Sequence, residues 1–145
     1  MPRLALALWL APCALLAATT GSAQTQKWDQ PKVTALSSEL VGAVSNLQSS
    51  LQNSVQAQDP VMQETVFQVG DSLGLIEFEA ARLEALLKSG KGMKATLPAY
   101  KRLQQLHREC LDEAQGQLQV TAFLQPPLTK AKATLAALAA YYPPQ

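Results

Sequence analysis

His107 and Cys110 carry the softest donor atoms at the closest spacing in this sequence. Three residues apart on a helix they share a face, separated by about 60° at roughly 100° per residue. Such a pair could give a metal ion two ligands, or His107 could serve as an axial ligand to haem iron. Cysteine beside histidine is also the simplest form of an activated nucleophile. Each chemistry needs more than this pair provides. The chain has one histidine, so no second imidazole can complete a metal site. There is no Glu-x-x-His, as a di-iron carboxylate bundle requires, and no Cys-x-x-Cys-His for covalent haem. A thiolate attacker needs an electropositive, partly exposed setting, whereas Cys110 falls between Leu106 and Ala114 on an apolar stripe. The plainer reading is a buried cysteine beside a histidine at the edge of a core.

Other constellations give less. Glu77, Glu79 and Glu84 could suggest paired carboxylates, but charges placed around a helix away from its apolar seam form a solvated face. Gly90-Lys91-Gly92 lacks the spacing of a phosphate loop and reads as a helix stop. The bases are not interleaved with aromatics, which argues against nucleic acid. The expectation is therefore a non-enzymatic protein without a cofactor. A haem- or metal-binding role for His107 with Cys110, and a Cys110-dependent enzyme, are the alternatives.

The elements that would position these residues follow a targeting segment. Arg3 precedes an apolar run from Leu4 to Ala18, and Gly21 and Ala23 supply the small residues of a cleavage site. This reads as a signal peptide over residues 1–23, too short and too interrupted by Pro12 to span about 30 Å of hydrocarbon comfortably. No later stretch is apolar enough to cross a membrane. Residues 24–145 then form a single helical domain, periplasmic or secreted. Cys13 departs with the signal, leaving Cys110 without an intramolecular disulfide partner, so the fold must rest on its apolar core. Net charge is +1. The first half is acidic and the second basic, which suits one helical hairpin lying on the other.

Residues 24–30 read as a polar leader. Apolar positions at Val33, Leu36, Leu40, Val44, Leu47, Leu51 and Val55 place a helix over about 31–57. Asp59-Pro60 supplies an N-cap and first helical residue for a second helix over 60–89. Its seam, from Met62 through Leu73 and Ile76 to Leu87, alternates steps of four and three in the manner of a coiled coil. Thr96 and Pro98 suit the start of a third helix over 96–122, with Tyr100, Leu103, Leu106 and Cys110 on its apolar face. A fourth spans 127–142 after Pro126-Pro127. No segment shows strand alternation. The fold class expected is all-α, an antiparallel up-down four-helix bundle.

The second helix breaks the pattern. Phe67 and Phe78 are eleven residues apart, which returns them to the same angle within about 20°, and both point away from the seam. Gly74 shares their side, Leu75 flanks it, and Asp71 and Arg82 border it. An outer face of a simple bundle should be polar. Either neighbouring helices wrap this one on both sides, or Phe67, Asp71, Gly74, Leu75, Phe78 and Arg82 form an exposed strip that receives another protein or a second copy.

Overall fold

The computed structural model describes residues 25–114 and 124–144. The expected signal peptide and the expected end of the third helix, residues 115–122, lie outside the described residues. The chain is all-helical there, without strands. The elements are α1 (Gln30–Gln52), α2 (Val55–Gln58), α3 (Gln63–Lys88), α4 (Met93–Ala114) and α5 (Gln125–Ala139). Four of them pack on one another: α1 lies against α3 and α5, and α3 against α4, while α2 is a single turn touching α1 and α3. Among the described residues no helix is long and apolar enough to cross a membrane.

α1 begins where Asp29 accepts the Lys32 N–H at 3.1 Å and a proline occupies the first turn. It ends earlier than the apolar spacing suggests, because two side chains compete for its carbonyls. Asn53 Nδ2 donates to the Ser49 carbonyl at 2.8 Å, and the Ser54 hydroxyl to the Leu51 carbonyl at 2.7 Å. The expected helix over 31–57 is thus broken at Asn53-Ser54, with Val55–Gln58 as a separate turn.

Asp59-Pro60 does not open α3 directly. The Asp59 carboxylate accepts the Val61 N–H at 2.9 Å and its carbonyl accepts from Met62 and Gln63, which makes a turn that delivers the chain to the helix at Gln63. At the other end the glycine stop forms as expected. Gly90 takes φ 79°; its N–H donates to the Leu87 carbonyl and that of Lys91 to Leu86, the paired bonds of a Schellman turn. Gln30 Nε2 adds a bond to the Leu87 carbonyl at 2.8 Å, joining the start of α1 to the end of α3.

α4 starts three residues before Thr96, with the Gly92 carbonyl accepting from Ala95 and Thr96. Thr96 is therefore inside the helix rather than its cap. It is fully buried, and its hydroxyl lies 2.9 Å from the Tyr142 hydroxyl. Pro98 is the sixth residue of α4 rather than part of its first turn, so its missing N–H leaves one rung of the hydrogen-bond ladder unmade. α5 runs from Gln125 with proline in its first turn and stops at Ala139, after which Tyr141 and Tyr142 turn inward and are buried.

The core follows the stripes. Val66, Val69, Leu73, Ile76, Ala80, Leu83 and Leu87 of α3 are all buried, facing Val33, Leu40, Val44, Leu47 and Leu51 of α1. Tyr100, Leu103, Leu106 and Cys110 close the core from α4, and Leu135 and Leu138 from α5. The buried hydroxyls are satisfied locally: Ser37 donates to the Thr34 carbonyl and Thr134 to Lys130. The stretch read as a polar leader is pinned as well. The Gln26 N–H donates to the Ala140 carbonyl, and the Trp28 ring stands edge-on to Tyr142 with centroids 5.5 Å apart.

Candidate functional site

Seven residues of α3 point into the core. The residues on its opposite side stay outside. Phe67 is 69% exposed, Phe78 67% and Leu75 53%, the largest uncovered apolar side chains apart from Val61. No described element wraps this side, because α1 and α4 flank the helix over its seam. Of the two arrangements open to an apolar second face, the described residues adopt the uncovered one.

The border residues are placed as the helical spacing requires. Asp71 and Arg82 are exposed, one on each side of the Leu75–Phe78 pair along the helix. Arg82 Nη1 lies 3.5 Å from Glu79 Oε1 within its own helix. Gly74 is half-buried, and a Cβ there would lie 3.6 Å from the Gln48 amide of α1. It therefore belongs to the α1–α3 contact as much as to the strip. Gln48 Nε2 also reaches the Gly70 carbonyl, at 3.5 Å. Beside Phe67 and Asp71 there is an open groove, lined also by Gln52 and Ala57, where α1, α2 and α3 converge.

Val61 went unrecognised in the sequence. It is 85% exposed and extends the apolar surface toward the turn before α3. It follows Pro60 in a non-helical turn, where periodicity carries no information. Glu77, Glu79 and Glu84 of α3 also differ from the solvated face expected of them. Glu84 accepts from the Ser38 hydroxyl of α1 and pairs with Lys88 at 2.7 Å, and these two contacts hold its carboxyl below the usual range. Glu79 is only 13% exposed, with Oε2 lacking a hydrogen-bond partner, and Glu77 is half-buried. Both ion pairs found among the described residues lie within α3, so the charge asymmetry of the two halves produces no close ion pair between helices there.

His107 and Cys110 fall where the plainer reading put them. Cys110 is buried and His107 half-buried on α4. Burial holds the His107 imidazole below its ordinary proton affinity, and the Lys132 and Arg108 charges lower it further. No group of three or more His, Cys, Asp or Glu able to hold a metal occurs among the described residues.

Among the described residues the large exposed apolar side chains are thus Val61 in the turn before α3 and Phe67, Leu75 and Phe78 on its outward face. Comparison with protein-family models, with curated proteins and with solved structures found no match for this chain.

Proposed function

We propose that this chain is an exported, non-enzymatic helical bundle that binds another protein through the outward face of α3, in an accessory, adaptor or inhibitor role. The observation that carries the reading is the exposure of Phe67, Leu75 and Phe78 on one side of a helix whose other side is fully buried. Exposed large apolar side chains along one helix face, with charges among them, are a feature of interaction sites, since aromatic anchors supply much of the contact energy. Residues 1–23 direct export and are removed after Ala23, which places the mature bundle in the periplasm or outside the cell. Its helices alternate up and down. That order is supported by the contact of Gln30, at the start of α1, with the end of α3, and of Tyr142, past the end of α5, with Thr96 near the start of α4.

The test replaces Phe67 and Phe78 together with serine. Circular dichroism and thermal unfolding are expected to stay near wild type, because neither ring is buried. A protein that co-purifies with the wild type from its own host is expected to be lost. Unfolding of the variant, or an unchanged set of co-purifying proteins, would overturn the reading.

A further inference from the structure

The outward strip of α3 has an order that a chance scatter of apolar residues lacks. Phe67, Asp71, Leu75, Phe78, Arg82 and Ala85 fall within about 50° of one line along the helix at roughly 100° per residue. All six are exposed. The four central members follow steps of four, three and four, so the helix carries a second coiled-coil seam on the side away from its core seam. Their chemistry is a palindrome with opposite ends: acid, apolar, apolar, base.

We infer that this strip binds a second copy of the same chain, two α3 helices crossing antiparallel about a two-fold axis between Ile76 and Glu77. That axis sets Leu75 of each copy against Phe78 of the other, and Asp71 of each against Arg82 of the other. Phe67 falls opposite Leu86 of the second copy, next to its Ala85. A two-fold contact must be self-complementary, since each residue pair occurs twice, and this one is complementary in both packing and charge. The parallel alternative fails on the same residues: it opposes Asp71 to Asp71 and Arg82 to Arg82. The axis lies within about one residue of the midpoint of α3, so nearly the whole helix overlaps with its mate. The Arg82–Glu79 contact does not compete strongly. It is a 3.5 Å pair within one helix with the arginine side chain 60% exposed, and such surface pairs contribute little. Asp71 has no ion pair among the described residues, so its partner in the second copy would be its first.

This inference rests on the outward face of α3 being a protein-binding surface, and names its occupant. A single helix-to-helix contact is at the small end of specific interfaces, so dissociation on the order of micromolar is expected.

Sedimentation equilibrium from micromolar to millimolar concentration is the test, on protein purified from cells expressing the full chain. Wild type is expected to shift from monomer to dimer over that range. Asp71→Arg and Arg82→Asp are each expected to weaken the dimer about tenfold or more, with unchanged helicity, because each sets like charges across the axis. Asp71→Arg combined with Arg82→Asp in one chain is expected to dimerise again. The two single variants mixed are expected to form a heterodimer in which both charge pairs are restored. A wild type that stays monomeric throughout overturns the inference. So does a dimer that ignores both reversals, or a folded double variant that remains monomeric. If the wild type is monomeric yet loses a co-purifying protein on Phe67→Ser with Phe78→Ser, the second copy is excluded while the binding face stands. If that variant changes nothing either, both readings fall.

Discussion

Tyr100 and Tyr142 stack at 3.9 Å with ring planes 7° apart, and the two hydroxyls find different partners. Tyr142 meets the Thr96 hydroxyl, and Tyr100 OH accepts from Gln104 Nε2 at 2.6 Å. Burial pushes the Tyr100 phenol up to about 12, with the neighbouring Tyr142 adding to the shift, and burial raises Tyr142 as well. The folded state therefore favours the protonated phenols more than the unfolded chain does. Their contribution is fully present below the ordinary phenol value of 10 and disappears as pH rises from there toward 12. For Tyr100 it amounts to on the order of 2–3 kcal/mol. Stability against urea should be flat with respect to these groups up to pH about 10 and then fall steeply. Tyrosinate absorbance should rise together with the loss of helical circular dichroism. A smooth tyrosine titration in a protein that remains helical would show the pair to be accessible. None of this was legible from Tyr100 or Tyr142 singly. Tyr100 was expected on the apolar face of its own helix, but the stack joins α4 to the chain beyond α5, a contact between residues 42 positions apart that no local spacing reports.

At the scale of the element, existence and type were readable, and the ends less so. The seam of α3 repeats over many turns, and every one of its expected members from Val66 onward is buried. Helix ends instead depend on which side chain captures an orphan backbone group. Asn53 and Ser54 captured carbonyls and cut α1 short, while Asp59 captured the Val61 N–H and held α3 back to Gln63. A proline pattern alone cannot rank such local bonds against one more helical turn. The exposed strip was visible in the spacing of Phe67 and Phe78. Whether it was covered was not, because that depends on which neighbours α3 has. The glycines separate the same influences experimentally. Gly42 lies exposed inside α1 with nothing within 4 Å of where a Cβ would go. Gly42→Ala should stabilise the protein by about 0.5–1 kcal/mol through helix propensity. Gly90 also has open space around it, but its φ is 79°. Gly90→Ala should destabilise by about 1–2 kcal/mol, the cost of holding an L-residue in left-handed geometry. Urea midpoints of the two variants should move in opposite directions. A shift of the same sign in both would mean that the turn after α3 has rearranged.

For the whole molecule, the weakest joint is between α4 and α5. α1 packs on α3 and α5, and α3 on α4, yet the backbones of α4 and α5 do not meet among the described residues. What bridges them at one end of the bundle is the tail. Tyr142 stacks on Tyr100 and bonds to Thr96 of α4, while Trp28 ahead of α1 stands nearly perpendicular to it, and Gln26 donates to the Ala140 carbonyl. One residue thus contacts both α4 and the segment ahead of α1. Tyr142→Ala removes the stack, the edge contact and the hydroxyl bond together, and should cost about 3–5 kcal/mol, the range of large aromatic truncations. Tyr142→Phe keeps both ring contacts and loses the bond to Thr96, so only about 1 kcal/mol is expected, because the buried threonine hydroxyl still has the Gly92 and Met93 carbonyls to donate to. The distribution of the effect matters as much as its size. Hydrogen exchange in Tyr142→Ala should accelerate most in α5, which keeps only its packing on α1, and least in the seam of α3, which is enclosed by α1 and α4. Uniform acceleration across all helices would show instead that the bundle opens as one unit, with the tail stabilising every helix equally.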